Sequence, residues 1–286
     1  MSPVAVARRR ISASVAFARR LPVVDMALLA IVPAMLFGLF MLPLATVRPL
    51  IFSYTEPTIV SAYASHFVHL SQTHLLVNLV GYLLLAPVGY VLATLSDRRK
   101  DFLTAFANLH LSVPLALSGL NLLFVRPRVT FGYSGLVMGL LALLGLELFE
   151  YAQARVAPTL NRENAVVLFG FEMVLITAAL VPGIPILRFV AGAVALITLG
   201  YAVRIGLDAR GDRGTVHATA TEPGYLELSA IAVVLLVAFP FVAFPAQPTS
   251  DGAILNLYTH ILGFCLPFIV GYVTRLVFRT IRLRSA

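Results

Sequence analysis

Apolar residues fill eight long stretches of the chain, and shorter polar segments separate them. The hydrocarbon core of a bilayer is about 30 Å thick, so a helix of about 17 to 25 apolar residues can cross it. The pattern predicts membrane spans at 23–45, 74–95, 102–124, 133–150, 165–181, 187–205, 226–245 and 256–278. The polar stretches 46–73 and 206–225 are predicted to be long connectors outside the membrane.

Composition supports a polytopic membrane protein. Of the 286 residues, 59% are hydrophobic and 12% are charged, and the mean hydropathy is +0.92. Soluble domains carry about 25% charged residues, so one large water-soluble core is excluded. With one cysteine, Cys265, the chain can form no intramolecular disulfide.

The distribution of charge predicts the orientation in the membrane. Eight is an even number, so both termini lie on one side. A cytoplasmic amino terminus places 17 of the 21 Lys and Arg residues inside and leaves only Arg48, Arg126, Arg128 and Arg188 outside. The positive-inside rule favours this orientation. No basic stripe is interleaved with aromatic residues, so a nucleic-acid partner is not expected.

We therefore expect an integral protein of a prokaryotic cell membrane with both termini in the cytoplasm. Its predicted parts are a basic tail at 1–22, a transmembrane domain at 23–279 and a short tail at 280–286. The five arginines of 1–22 also resemble an organellar transit peptide. The apolar segment that follows is too long for a signal-peptide core, which favours an uncleaved tail.

Two polar residues in different spans are predicted to lie at the same depth. Ser134 precedes Glu147 and Glu150 in the fourth span, and 13 to 16 residues correspond to about 20 to 24 Å of helix. His260 precedes Arg275 by 15 residues, or about 22 Å. Both spans run from the outside inwards, so both residues fall in one layer several Å below the outer surface.

Two further polar residues, His74 and Asn78, open the second span near this layer. Their spacing of four puts both on one helix face. A hydroxyl, an imidazole and two donors are the minimum set for nucleophilic acyl transfer. Each residue also has a structural interpretation. Ser134 with Gly135 and Gly139 forms a small-residue packing face, and the other three could cap helices or join them.

Three motifs in these regions resemble those of the rhomboid intramembrane serine proteases. "HLSQTHLLVN", His69 to Asn78, matches the pattern H-x4-H-x3-N, and "GYSGLVMG", Gly132 to Gly139, matches the nucleophile motif G-x-S-G. The pair His260 and Gly263 matches a catalytic histidine followed three residues later by glycine. The matches stand in the family's order and cover most of the chain, residues 66 to 271.

The resemblance implies an all-α polytopic membrane protein with a rhomboid-like six-helix core. The eight predicted spans then include two additional transmembrane helices among the fifth, sixth and seventh, without indicating which. It also implies a serine endopeptidase with a dyad of Ser134 and His260 and no acidic third member. The oxyanion would be held by His74, Asn78 and the Ser134 N–H, with supporting roles for Gly132, Gly135, His69 and Gly263.

The implied substrates are single-span proteins of the lipid bilayer, cleaved near the outer face without a cofactor. The sequence departs from the family in lacking any Trp, and Pro267 stands where a second glycine is expected. An inactive rhomboid-like binder of membrane proteins and a small-solute transporter remain as alternatives. An aspartyl intramembrane protease is excluded, because it needs two buried Asp residues on facing spans.

Other polar residues have weaker interpretations. A metal site at His66, His69, His74 and Glu56 is not favoured, because no H-E-x-x-H helix is present. We expect His66 to be exposed and His69 to order the external loop. Glu172 could pair with His110. The polar residues of the third span either admit water or join helices: Asn108, His110 and Asn121.

Overall fold

The computed structural model describes residues 21–124, 128–180, 186–208, 224–245, 249–250, 253–254 and 256–284. The predicted tail at 1–22 and the connector at 206–225 therefore lie largely outside the described residues. The helices are α1 Val23–Phe40, α2 Leu44–Val47, α3 Ile59–Ala64, α4 Gln72–Leu95, α5 Arg99–Leu111, α6 Val113–Asn121, α7 Ser134–Arg155, α8 Val166–Leu180, α9 Leu187–Asp208, α10 Tyr225–Ala243 and α11 Leu257–Arg284. Two short antiparallel pairs accompany them, β1 Phe52–Ser53 with β2 Val129–Thr130 and β3 Thr249–Ser250 with β4 Ala253–Ile254.

The eight predicted spans are confirmed. The described part of the chain contains eight helical segments long and apolar enough to cross a membrane, and the protein is an all-α polytopic membrane protein. The third span consists of two helices, α5 and α6, that break at Ser112. Pro114 explains the break, because proline has no N–H and its ring collides with the carbonyl four residues earlier.

The loop between α1 and α4 is structured. Thr58 caps α3 by accepting a hydrogen bond from the Ser61 N–H, and the Ser61 hydroxyl accepts one from the Thr58 N–H. β1 pairs with β2, so Phe52 lies opposite Thr130. This pairing attaches the loop to the segment that leads directly into α7.

Helix α7 is the centre of the bundle. Its sequence is apolar on all sides, which is typical of a helix surrounded by protein. In an apolar stretch of 18 consecutive residues within α7, 94% of the residues are buried. Helices α4, α5, α10 and α11 all pack against it. A side chain at the start of α7 is therefore positioned by several neighbours at once.

Helices α7 and α11 approach most closely through glycine. A Cβ atom on Gly263 would lie 2.1 Å from the carbonyl oxygen of Gly135, and one on Gly139 would lie 3.2 Å from the carbonyl oxygen of Gly263. The small-residue packing face suggested by the sequence is therefore present. It brings the backbone of α11 against the first turn of α7.

We expect Gly263→Ala to destabilise the protein by about 1 to 3 kcal/mol, because the new methyl group collides with a backbone carbonyl that cannot rotate away. Thermal unfolding in detergent micelles measures the effect. The matched control is Gly200→Ala in α9, where a Cβ atom meets nothing within 4 Å. Alanine is the better helix former, so the control should be as stable as the wild type or slightly more stable. Equal stability of the two variants would contradict the close approach.

A hairpin of α8 and α9 lies at the edge of the bundle. Helix α9 packs on α8. None of the 18 residues in the apolar stretch of α9 is buried. Helix α10 instead contacts α4, α7 and α8. The sixth span is therefore peripheral, and the fifth span connects it to the rest of the bundle.

Ion pairs connect helices at the end of the bundle opposite Ser134. Glu147 pairs with Arg275, Glu150 with Arg98 and Arg162, and Asp25 with Arg99. Asp25 also accepts a hydrogen bond of 2.6 Å from the Tyr90 hydroxyl. The arginine residues of these ion pairs therefore lie together at this end.

Candidate active site

The turn before α7 requires glycine. Gly132 has φ = +109°, a conformation that other L-residues rarely adopt. A Cβ atom there would lie 2.3 Å from Cε1 of His74, so the imidazole packs directly on the glycine backbone. The Gly132 N–H donates to the Ser65 carbonyl at 2.9 Å. These contacts fix the turn that starts α7 at Ser134.

Ser134 is the first residue of α7, so its N–H and that of Gly135 have no acceptor within their own helix. The positive end of the helix dipole lies at the same place. The side chain of Ser134 is half-buried. The hydroxyl is thus presented beside backbone donors suited to a developing negative charge.

His260 lies in the first turn of α11, the helix that packs against the first turn of α7. The residue after Ser134, Gly135, contacts Thr259 and Gly263, which flank His260 on α11. The two candidate catalytic residues therefore occupy one layer of the bundle, at the starts of two helices in contact. Its depth in the membrane stays a prediction.

The hydrogen bond at Nδ1 of His260 assigns its tautomer. Nδ1 lies 2.9 Å from the carbonyl oxygen of Ala243, at the end of α10, and must donate its proton there. Nε2 then carries the lone pair. It is buried and has no hydrogen-bond partner among the described residues. Phe244 packs edge-to-face on the ring, with 5.7 Å between ring centroids.

Nε2 of His260 is not hydrogen-bonded to the Ser134 hydroxyl in this structure. Catalytic hydrogen bonds are often long before substrate binds and shorten in the complex. The structure supplies an oriented imidazole with an unbonded Nε2 and, in the same layer, a half-buried serine.

His69 and Asn78 are hydrogen-bonded to each other, and His69 also contacts the turn that precedes α7. Nε2 of His69 accepts bonds from the Asn78 side-chain amide at 3.0 Å and from the Tyr133 N–H at 3.4 Å. The Asn78 amide also donates to the His74 carbonyl at 2.9 Å. Both amide hydrogens of Asn78 are therefore engaged in this state. The expected oxyanion role of Asn78 stays a prediction, whereas its ordering of His69 is observed.

The His74 ring lies against the turn that leads into α7. Its backbone N–H is capped by the Ser71 hydroxyl at 3.2 Å. Its half-buried ring lies edge-to-face with His69, with 4.9 Å between centroids, and covers Gly132. The structure thus brings His74 to the turn that precedes Ser134.

Burial keeps two loop histidines neutral. It lowers the pKa of His66 to about 4 and that of His69 to about 3. The expected exposure of His66 is wrong, because its ring is buried and Nε2 lies 3.0 Å from the Ser118 hydroxyl. Ser118 in turn donates to the Ala62 carbonyl at 2.6 Å. The expected ordering role of His69 is confirmed by its bonds to Asn78 and Tyr133.

The polar residues of α5 and α6 join helices. Nε2 of His110 accepts a bond from the Tyr133 hydroxyl at 2.5 Å, and Nδ1 donates to the Phe106 carbonyl at 2.7 Å. The suggested pairing of His110 with Glu172 is wrong, since both carboxyl oxygens of Glu172 lack a partner among the described residues. Asn108 is exposed and does not belong to this buried polar face.

A second polar cluster fixes the start of α11. The side chain of Asn121 donates to the Thr259 hydroxyl at 2.8 Å and accepts from Asn256 at 3.0 Å and from the Tyr54 hydroxyl at 3.1 Å. Thr259 precedes His260 directly. The sequence analysis did not find this cluster, because its members come from three distant parts of the chain.

Within the described residues, no group of three or more His, Cys, Asp or Glu side chains could hold a metal ion. Comparison with protein-family models, with curated proteins and with solved structures gives no match. The structure defines the class as an all-α integral membrane protein. Any narrower assignment has to be argued from the site itself.

Proposed function

We propose that this protein is an intramembrane serine endopeptidase of the rhomboid type. The observation that carries the proposal is the state of His260. The Ala243 carbonyl holds the proton on Nδ1, and the buried Nε2 is left unpaired in the layer of Ser134. This is the tautomer that a general base for a serine nucleophile requires.

In the proposed reaction, the Ser134 hydroxyl attacks the scissile carbonyl while Nε2 of His260 removes its proton. The resulting oxyanion accepts hydrogen bonds from the Ser134 N–H and from the His74 ring. His260 then gives the proton to the leaving amine, and an acyl-enzyme ester on Ser134 remains. Water, activated by the same imidazole, hydrolyses the ester and regenerates the serine. No cofactor takes part.

The substrates are proposed to be single-span membrane proteins with a weak helix near the outer face. A transmembrane helix hides its peptide bonds in its own hydrogen bonds, so the segment must unwind before attack. Gly, Ala, Ser or Pro near the outer end of a substrate helix would favour unwinding. Cleavage in the Ser134 layer would release an external fragment.

We expect Asn78→Ala to reduce kcat by at most about 10² to 10³, the usual effect of losing one oxyanion donor. The observed bonds of Asn78 to His69 and to the His74 carbonyl suggest that much of the loss would come from displacement of His74. Initial rates on a fluorescent single-span substrate measure it. A loss as large as that of the Ser134 variant would contradict a supporting role.

A serine-directed fluorophosphonate tests the proposal most directly. Wild-type protein in micelles should be labelled, and Ser134→Ala should not. The missing hydrogen bond between Ser134 and His260 favours one rival, an inactive binder of membrane proteins. Such a binder would leave wild type unlabelled, although it would still retain a single-span client on an affinity column.

A further inference from the structure

One row of side chains on α11 runs along α7. A residue at every fourth position contacts the central helix, so the row winds slowly around α11 as the two helices cross. The row contacts α7 at Gly135, at Gly139, at Leu146 and at Glu147, and it comprises Thr259, Gly263, Pro267, Gly271 and Arg275.

The row is fixed at two points. At one end Gly263 lies against the carbonyl of Gly135, as described above. At the other end Nη2 of Arg275 donates to Oε1 of Glu147. Glu147 is fully buried and Arg275 is mostly buried, so the pair lies inside the bundle and away from solvent.

The pair is poorly satisfied. The second carboxylate oxygen of Glu147 and the Nη1 atom of Arg275 are buried without hydrogen-bond partners among the described residues. Removing two charges from water is expensive, and buried ion pairs of this kind add little net stability. Their best-attested role is to specify the register of packed helices.

The register of this row decides the geometry of the dyad. Ser134 lies about 20 Å above Glu147 along α7, and His260 lies about 22 Å above Arg275 along α11. A slip of one residue would move the imidazole by about 1.5 Å and rotate it by about 100°. The glycine contact fixes the register at the Ser134 end of the row, because a one-residue slip would bring a side chain against the Gly135 carbonyl. The ion pair fixes the register a second time, at the other end.

We propose that Glu147 and Arg275 are positioning residues, which hold α11 in the register that places His260 against Ser134. This inference rests on the proposed function. A displacement of about 1 Å at a reacting group can lower the rate about 10²-fold. The pair should therefore act on kcat and leave substrate affinity unchanged.

The experiment replaces both charges together, because a single change leaves an unpaired charge buried. The variant is Glu147→Leu with Arg275→Leu, and Glu147→Gln with Arg275→Gln is a second form that keeps polar side chains. Arg275→Lys is the conservative variant, since it retains a cation for Glu147. The matched control is Asp25→Asn with Arg99→Gln, which removes an ion pair between α1 and α5 whose carboxylate is buried and whose guanidinium is partly exposed. Neither helix carries Ser134 or His260.

The readouts are kcat and KM on a single-span substrate, and the midpoint of thermal unfolding. We expect the double-leucine variant to lose kcat 10- to 100-fold with an unchanged KM and an unchanged or higher midpoint. Arg275→Lys should keep at least about a third of the activity, and the Asp25 and Arg99 control should keep nearly all of it.

Three results would overturn the inference. A double-leucine variant with kcat within about threefold of wild type would show that the pair positions nothing. Unfolding of both double variants beside a folded control would make the pair a stability element. If wild type is labelled and cleaves substrate, each of these two results overturns the positioning role and leaves the proposed function standing. A wild type that neither reacts with fluorophosphonate nor cleaves would overturn the proposed function, and the inference with it.

Discussion

Replacement of Ser134 by alanine should lower kcat/KM on a single-span substrate by at least about 10⁴-fold, the scale of loss seen when a serine nucleophile is removed. The reason is that the hydroxyl forms the bond to substrate, and no neighbouring group can replace it. Fluorescent substrate in proteoliposomes, followed by fragment analysis on gels, measures the loss. Protein recovery and thermal unfolding should be unchanged, because Ser134 is half-buried and its side chain supports no helix contact described above.

The control for this prediction is Ser229→Ala in α10. The Ser229 hydroxyl donates only within its own helix, to the Tyr225 carbonyl at 3.2 Å. Its loss should leave the rate within about twofold of wild type. Cleavage by the Ser134 variant within tenfold of wild type would show that the nucleophile is another group, and the dyad would have to be abandoned.

Replacement of His260 by alanine should have an effect of similar size, because the serine then has no base to accept its proton. The double variant Ser134→Ala with His260→Ala should be no slower than either single variant, since two members of one catalytic unit do not contribute additively. The rates of all three variants, measured at one substrate concentration well below KM, show whether the two losses are additive. Multiplicative losses would instead indicate two independent roles.

The sequence predicted the spans because each carries its own signal. Apolar length alone identified all eight, but it did not indicate that the fourth span is the one surrounded by protein. Helix ends were less accurate. The last predicted span ended at 278, whereas α11 continues to Arg284. Hydropathy cannot detect a helix that extends past the hydrocarbon.

The common layer of the two candidate residues was predictable, and their hydrogen bonds were not. A rise of 1.5 Å per residue placed Ser134 and His260 in one layer without any knowledge of packing. The partner of His260 is a backbone carbonyl, that of Ala243, and a backbone group has no sequence signal. The position of the α8 and α9 hairpin was also beyond reach, because apolarity indicates that a segment can cross the membrane but not which other spans it packs against.

Polar residues in loops and spans were judged least well. His66 stands in a polar loop segment, and such residues are usually exposed. Its ring is instead buried against Ser118, because the loop packs on α6. Tyr133 received no role, yet its hydroxyl bonds His110 and its N–H bonds His69. Such pairings depend on which helices become neighbours, and one sequence does not contain that information.

Because a backbone carbonyl oxygen, that of Ala243, orients His260, mutation during evolution affects this site in a particular way. A carboxylate in that place would bring an anion into hydrocarbon and could be erased by one codon change. Every residue type at position 243 offers the same oxygen. The orienting contact is therefore protected from point mutation, and only a shift of the whole end of α10 can remove it.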